Sequence, residues 1–336
     1  MVEPYQFVSS MLVLHMRTLA MLVGAACCMP LLAAEPVAEF PSKPVKIIVT
    51  FPPGGGTDIV ARTVGPRLAG VLKQPVLIEN RGGASGTIGT DAVAKAPADG
   101  YTLLFGTTAG LVMGPLMMKL PYDPVKDLAP VSLLLTNPLM LVVNSSMPIH
   151  SVKELITYAK ANPGKLNYAS VGNGSPNHIS TEMLKWLTAI NLVHVPYKGV
   201  SLSITDMLGG QIQVMFSPMP ALMPHIQSGK FRALGVSSSK RAAAAPDQPT
   251  MIEAGVPGFN ADFWYAIFAP GQTPAAIIAK LNGGFVKILA EPDLIKSLAD
   301  QGTDPRSSTP AELGSLMQAD IERMGNVIKA ASIKAE

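Results

Sequence analysis

The sequence predicts an α/β protein with two lobes and a ligand cleft between them. Three observations lead to this fold class: strand-like and helix-like segments alternate along the chain, several strands end in glycine-rich turns, and two apolar segments without helices divide the chain. Alternating strands and helices indicate parallel sheets, and such sheets bind ligands beyond the carboxyl ends of their strands. The glycine-rich turns are therefore the candidate binding site.

Residues 1–34 are predicted to be a signal peptide. An uncharged stretch rich in Leu, Ala, Met and Val follows Arg17, and small residues follow that stretch. Translation starts at Met1 or at Met16, and the sequence leaves both the start codon and the cleavage site open. The chain has only two cysteines, and both lie in this segment, so the exported protein is expected to lack disulfides, thiol catalysis and Cys-bound zinc. The net charge of +3 is too small for a nucleic-acid surface.

The first glycine turn follows the apolar, β-branched segment 45–51, which is predicted to be a buried strand. The sequence PPGGG (52–56) ends this strand, because proline cannot donate to a sheet and glycine accepts positive φ. Thr57 and Asp58 are residue types that cap helices, and apolar residues follow them at helical spacing. The expected product is a helix N-terminus that favours an anion. Because no phosphate-loop motif is present, a carboxylate is a better prediction than a nucleotide.

Two more strands in this half of the chain end in turns of small residues. Residues 76–79 precede the turn 80–86, and residues 101–105 precede the turn 106–110. We expect all three turns to lie at one edge of a parallel sheet and to share a crevice.

Two helix-free segments predict where the chain passes between lobes. Residues 133–144 contain two apolar runs with no helix between them, and residues 260–270 form an apolar and aromatic return. We therefore predict one lobe from residues 41–137 with 263–336, and a second from residues 138–262. Two lobes joined by two crossing segments describe a hinged clamp.

The second lobe is predicted to contain the same arrangement as the first, a strand followed by a glycine turn and a capped helix. A strand over residues 166–170 is followed by the glycine turn 171–178, in which Ser175 is the predicted cap and Pro176 suits the first helical position. The two turns are expected to direct two helix N-termini into one cleft.

The chain resembles the Bug-type substrate-binding proteins of tripartite tricarboxylate transporters from about Pro41 to its end. Matching segments include FPPGGGTD (51–58), VGNGSPNH (171–178) and VPYKG (195–199). The resemblance implies a type II periplasmic-binding-protein fold and a periplasmic, monomeric solute-binding protein without cofactor or enzymatic activity. Such a protein captures a small mono- or dicarboxylate and delivers it to membrane transporter subunits.

The resemblance also implies the ligand-binding residues. They come from the three turns of the first lobe, from the glycine turn of the second lobe and from the strand end after residue 196, namely Pro52, Pro53, Gly54, Gly55, Thr57, Asp58, Ala84, Ser85, Thr87, Thr107, Thr108, Ser170, Gly172, Asn173, Gly174, Ser175, His178, Tyr197, Lys198 and Gly199.

Several of these residues have a structural alternative. Asp58 either caps its helix or pairs with a ligand ammonium or hydroxyl group, because its charge repels an anion. His178 either holds the turn around Ser175 or touches the ligand. Lys198 is either a solvated lysine or a cation that attracts the ligand. Trp264 is interpreted as hinge packing rather than as a stacking platform.

The alternative function is a periplasmic enzyme or a ligand sensor built on the same two-lobed fold. The serine-hydrolase motif G-x-S-x-G and the metal motif H-E-x-x-H do not occur. The sequence therefore predicts neither catalytic residues nor a metal site. It does not identify the carboxylate, its aliphatic or aromatic body, or the transporter that it serves.

Overall fold

Two β-sheets with flanking helices form the fold in a computed structural model, which describes residues 39–83, 86–330 and 332–333. The predicted signal peptide, residues 1–34, lies outside the described residues, as do the predicted site residues Ala84 and Ser85. Within the described ranges, no helix is long and apolar enough to cross a membrane. The predicted α/β class is confirmed.

The strands form two separate sheets. The first sheet contains β1 (Val45–Val49), β2 (Val76–Asn80), β3 (Thr102–Thr107), β4 (Leu128–Thr136), β10 (Trp264–Pro270) and β11 (Asp304–Pro305). Their order is β11-β4-β10-β3-β1-β2, with β1 parallel to β2 and β3, and β10 antiparallel to β3 and β4. The second sheet contains β5 (Leu139–Asn144), β6 (Asn167–Ser170), β7 (Val193–Pro196), β8 (Val214–Pro218) and β9 (Phe231–Val236). Their order is β7-β6-β8-β5-β9.

Helices connect the strands and pack on the sheets. They are α1 (Gly56–Leu72), α2 (Thr87–Ala94), α3 (Gly114–Met117), α4 (Val152–Ala161), α5 (Pro176–Thr188), α6 (Val200–Leu208), α7 (Met219–Gln227), α8 (Ala275–Leu289), α9 (Pro292–Ala299) and α10 (Pro310–Ala330). A π-helical turn, Ala109–Met113, directly precedes α3.

The apolar pattern of β1 and α1 fixes the position of the turn between them. Val60, Val64 and Leu68 recur at helical spacing, and all three are buried in the same apolar cluster as Ile47 and Val49 of β1. Because both elements are anchored in this core, the glycine turn that joins them is held at the carboxyl end of the parallel strands.

The chain leaves the first sheet between β4 and β5 and returns just before β10. The backbone N–H of Asn137 donates to the carbonyl of Phe263 at 2.7 Å, so the two crossing segments are bonded to each other. Leu104 of β3 and Leu141 of β5 belong to one apolar cluster that continues from sheet to sheet. The C-terminal helix α10 packs on β4 and also contacts α5. The residue boundaries of the two lobes remain a prediction.

Candidate functional site

A cleft of about 850 Å³ lies between elements of the two sheets. This volume is within the range of small-molecule binding sites. Its walls come from the turns after β1, β3 and β6, from α3, and from the two crossing segments. The lining residues are Phe51, Pro52, Pro53, Gly54, Gly55, Gly56, Thr57, Thr107, Thr108, Ala109, Met113, Gly114, Met117, Met118, Asn137, Val171, Asn173, Gly174, Ser175, Pro176, Phe263, Trp264 and Tyr265.

The first glycine turn presents the N-terminus of α1 to this cleft. Gly54 has a φ of +83°, which an L side chain rarely adopts. The helix begins at Gly56 with Gly55 as its cap, and no side chain bonds to its first-turn N–H groups. The expectation that Thr57 and Asp58 precede the helix as caps was therefore wrong. Without a capping side chain, the first-turn donors and the helix dipole are available to an anion.

Asp58 supports the turn from behind the cleft lining. Its carboxylate is buried and accepts hydrogen bonds from the N–H of Gly54 at 2.9 Å, from Arg62 Nε at 3.0 Å and from Asn80 Nδ2 at 2.9 Å. The hydrogen bond from Arg62, followed by that from Gly54, lowers the pKa of Asp58 to about 2. Asp58 is therefore ionised and fully engaged in holding the shape of the turn.

Tyr265 places a hydroxyl group beside the N-terminus of α1. A Cβ atom added to Gly56 would lie 3.8 Å from the Tyr265 hydroxyl oxygen, so the two groups are neighbours. Asn137 Nδ2 donates to this oxygen at 3.3 Å, which leaves the hydroxyl hydrogen able to donate into the cleft. Burial raises the pKa of Tyr265, so the hydroxyl keeps its proton. The sequence reasoning missed Tyr265 and Asn137, although both lie in the crossing segments that it identified.

The end of β3 contributes two threonines to the same wall. The Thr107 hydroxyl accepts from the N–H of Gly110 at 3.3 Å. The Thr108 hydroxyl accepts from the N–H of Trp264 at 2.8 Å and donates to its carbonyl at 3.3 Å. Thr108 therefore ties this strand end to the return crossing, while Thr107 retains a hydroxyl hydrogen that can face a ligand.

In the second glycine turn, several backbone N–H groups already donate to nearby side chains. The N–H of Gly172 donates to Ser170 Oγ at 3.0 Å, and the N–H of Gly174 donates to His178 Nδ1 at 3.1 Å. Ser175 caps α5 as predicted, because its hydroxyl oxygen accepts from the N–H of His178. Pro176 has no N–H to offer. The N-terminus of α5 therefore offers fewer free donors than that of α1.

His178 holds the second turn from a buried position outside the cleft lining. Its ring stacks on that of His194 at a centroid distance of 4.4 Å, and His194 Nε2 lies 2.6 Å from Ser170 Oγ. Burial, and then the neighbouring His194, lowers the pKa of His178 to about 4, whereas Glu182 opposes this shift. Neutral His178 can accept the Gly174 N–H, and protonated His178 cannot.

We therefore expect the protein to lose stability as the pH falls from about 6.5 toward about 4. In this interval the unfolded chain binds a proton at His178 that the folded chain does not bind, which favours unfolding. A shift of this size corresponds to about 3 kcal/mol. His178→Asn, which keeps an acceptor that does not titrate, should flatten the dependence of the melting temperature on pH. The exposed His150→Asn should leave it unchanged, and an unchanged slope in His178→Asn would refute this role.

The structure brings only part of the predicted site together. The predicted residues that line the cleft are Pro52, Pro53, Gly54, Gly55, Thr57, Thr107, Thr108, Asn173, Gly174 and Ser175. The described residues that do not line it are Asp58, Thr87, Ser170, Gly172, His178, Tyr197, Lys198 and Gly199. Lys198 is exposed, and the Tyr197 hydroxyl donates to Asp206 at 2.7 Å instead of facing the cleft.

A methionine-rich wall is the largest feature that sequence reasoning missed. Met113, Met117 and Met118 line the cleft from the π-helical turn and α3. A Cβ atom added to Gly174 would lie 2.6 Å from Met117 Sδ, so this wall reaches the second glycine turn across the cleft. The segment LVMGPLMM (111–118) carried the compositional signal, but nothing local to it indicates a cleft.

The polar groups of the cleft are mostly neutral hydrogen-bonding groups. Its described lining contains no His, Cys, Asp, Glu, Lys or Arg. Across the described ranges, no group of three or more metal-ligating side chains is found. The available interactions are backbone N–H groups, hydroxyl groups, amides and apolar surface.

Comparison with known proteins adds a family and relatives of known structure. The model of the family "Tripartite tricarboxylate transporter family receptor" matches residues 60–333. The chain is 38% identical to Protein BugT of Bordetella pertussis, over 96% of this chain and 99% of BugT. It is similar to an R. palustris protein solved with adipate, at 35% identity and a TM-score of 0.76, over 88% of this chain and 99% of that one. It is also similar to MatC of Rhodopseudomonas palustris, which was solved with malate. The identity is 34% and the TM-score is 0.72, over 86% of this chain and 100% of MatC.

Proposed function

The chain belongs to the tripartite tricarboxylate transporter receptor family, and we propose that it is a periplasmic solute-binding protein that captures a small carboxylate in the cleft. In this proposal it delivers the ligand to the membrane subunits of a tripartite transporter. The observation that carries the proposal is the uncapped N-terminus of α1, which faces a cleft of ligand size beside the Tyr265 hydroxyl.

The carboxylate would bind through hydrogen-bond donors and not through an ion pair. First-turn N–H groups of α1 and the hydroxyl of Tyr265 converge on one end of the cleft. Hydrogen bonds to a charged group contribute about 1.5–3 kcal/mol each, and a partly buried helix N-terminus adds up to ~2 kcal/mol. The adipate and malate bound by two relatives have carboxylates of the kind that such donors recognise.

Two further parts of the proposal concern location and mode of action. The predicted signal peptide and the membership of a transport-receptor family support export to the periplasm. We propose that the chain acts as a monomer without enzymatic activity. The family is a receptor family, and the described cleft lining holds no His, Cys, Asp, Glu or Lys that could activate its hydroxyl groups. An enzyme or a ligand sensor on the same fold is the alternative function. Turnover of a bound carboxylate would favour the enzyme.

The proposal is tested on the chain without residues 1–34. A thermal-shift screen identifies the mono- and dicarboxylates that bind, and calorimetry then measures their affinities. A ligand at free concentration L that binds the native state stabilises it by RT ln(1 + L/Kd), so the melting temperature rises with the logarithm of the ligand excess over Kd. We expect at least one carboxylate to bind with a Kd in the micromolar range, equivalent to about −8 kcal/mol. If no carboxylate binds more tightly than ~1 mM, the proposed function is wrong.

Tyr265→Phe is expected to weaken carboxylate binding by about tenfold. The substitution removes one hydroxyl donor beside the α1 N-terminus and keeps the ring that packs on Phe105 at 5.5 Å. Loss of a hydrogen bond to a charged group accounts for an effect of this size. Tyr158→Phe in α4, whose residue does not line the cleft, is the matched control. Equal Kd values for Tyr265→Phe and the parent, measured by calorimetry, would remove Tyr265 from the site.

A further inference from the structure

The cleft favours one class of carboxylate, and this inference rests on the proposed function. We propose that the natural ligand carries a single carboxylate on an uncharged, apolar body, which is seated against the wall formed by Met113, Met117 and Met118. A second carboxylate or an ammonium group on the ligand would then lower its affinity.

Donors for an anion are concentrated at one end of the cleft. The helix N-terminus at Gly56 has no capping side chain, and the Tyr265 hydroxyl lies next to it. The hydroxyl of Thr107 lines the same region and retains its hydrogen after accepting from the N–H of Gly110. One carboxylate can accept hydrogen bonds from these donors without a cationic side chain.

The opposite end has little to offer a second carboxylate. The N–H groups of Gly172 and Gly174 already donate to side chains of their own lobe, and Pro176 has none. The Ser175 hydroxyl donates to the carbonyl of Gly172 at 2.7 Å. Lys198 is exposed and does not line the cleft. Beyond the side-chain amide of Asn173, which lines this end, a second charge would lose water without gaining matching donors, which is unfavourable.

The methionine wall suits an apolar body. Met113 is buried, Met117 is partly buried, and Met118 is exposed, so together they cover the cleft from its base toward solvent. Thioether side chains are apolar and flexible, and they adapt to aliphatic or aromatic groups. Phe51 and Phe263 extend this apolar lining.

An ammonium group would also find no partner. The nearest acidic residue along the first turn is Asp58, and its carboxylate is engaged by Gly54, Arg62 and Asn80. Asp58 does not line the cleft, and the described lining contains no carboxylate. A cationic ligand group would therefore be buried without a counter-charge.

Two matched series of ligands test the inference by calorimetry on the parent chain. The aliphatic series is hexanoate, adipate and ε-aminohexanoate, and the aromatic series is para-toluate, terephthalate and para-aminomethylbenzoate. Within each series only the terminal group changes, from methyl to carboxylate to ammonium. In the series that binds, we expect the affinity of the methyl member to exceed the affinities of both charged members by about tenfold or more.

The outcomes separate the two proposals. A charged member that binds as tightly as the methyl member, or more tightly, overturns the present inference and leaves the proposed function intact. If no member of either series binds, the inference fails, and the proposed function is then decided by the wider carboxylate screen.

Met117→Lys provides a second test at the wall itself. A lysine here would place a cation near the second glycine turn, and we expect it to raise the affinity for adipate relative to hexanoate by about tenfold. Met117→Gln, which is neutral and of similar length, should keep the preference for hexanoate. If the relative affinity for adipate is unchanged by Met117→Lys, the wall does not face the far end of the ligand and the inference is wrong.

Discussion

Gly55→Val is expected to weaken ligand binding by about a hundredfold or more. Gly55 lines the cleft and caps the α1 N-terminus, so a valine side chain would occupy the space from which a carboxylate reaches the first-turn N–H groups. The loss of two charge-assisted hydrogen bonds would account for an effect of this size. Calorimetry with a carboxylate that binds the parent measures the change.

The backbone at this position accepts a side chain, so the effect on binding can be separated from misfolding. Gly55 has a φ of −79°, and a Cβ atom would meet only the carbonyl oxygen of Pro52 at 3.6 Å. Gly70→Val is the matched control, because Gly70 lies on the same helix, is exposed, and has no atom within 4 Å of the added Cβ. If Gly55→Val binds as tightly as Gly70→Val, the ligand is held elsewhere.

Gly174→Val would be a poorer probe of the same cleft. Gly174 has a φ of +72°, and the added Cβ would lie 2.6 Å from Met117 Sδ. Both features introduce strain, so a loss of binding would not distinguish a blocked cleft from a distorted turn.

Asp320→Ala is expected to destabilise the protein by about 3 kcal/mol, the largest change in stability that we predict for a substitution. Asp320 of α10 is buried and accepts from Trp264 Nε1 at 2.7 Å and from Arg323 Nη2 at 2.6 Å. Removal of the carboxylate leaves a buried indole N–H and a largely buried guanidinium without their acceptor, which costs several kcal/mol. Because Trp264 begins β10 and lines the cleft, this contact anchors the return crossing to the C-terminal helix.

Two comparison variants make the test of Asp320 specific. Asp320→Asn keeps an acceptor for Trp264 and should lower the free energy of unfolding by only about 1 kcal/mol. Asp300→Ala removes an exposed i,i+4 pair with Lys296 and should change stability by less than about 0.5 kcal/mol. Urea unfolding of the three variants gives the free energies directly. Similar losses for Asp320→Ala and Asp300→Ala would contradict the assigned role of the buried carboxylate.

Local sequence signals identified the first glycine turn and the Ser175 cap, but they misplaced the start of α1. Thr57 and Asp58 are good capping types, yet Asp58 bonds to Gly54 and Arg62, and the helix begins at Gly56. Several backbone conformations satisfy the same capping pattern, and the hydrogen bonds of the buried Asp58 carboxylate select one of them. Sequence alone does not show which side chain a buried carboxylate will contact.

The residues missed by the sequence analysis are those whose partners are distant along the chain. Asn137 meets Tyr265 between the two crossing segments, and Met117 meets Gly174 across the cleft. Each of these pairs is separated by more than fifty residues, and the missed residues Asn137, Tyr265 and Met117 belong to no local motif. Periodicity and turn composition report on neighbours within one or two elements, so they do not reveal such contacts.

The sequence by itself determined the α/β class, the strand–glycine turn–helix device that opens each half of the site, and the family to which the chain belongs. These features depend on hydrophobic periodicity and on the φ angles that glycine permits, both of which are encoded within a few consecutive residues. Only the tertiary structure decided which backbone donors remain free and which wall of the cleft is apolar. His178 occupies the Gly174 N–H, while the first turn of α1 is left uncapped, because hydrogen-bond donors are satisfied by whatever acceptors the folded chain brings near them.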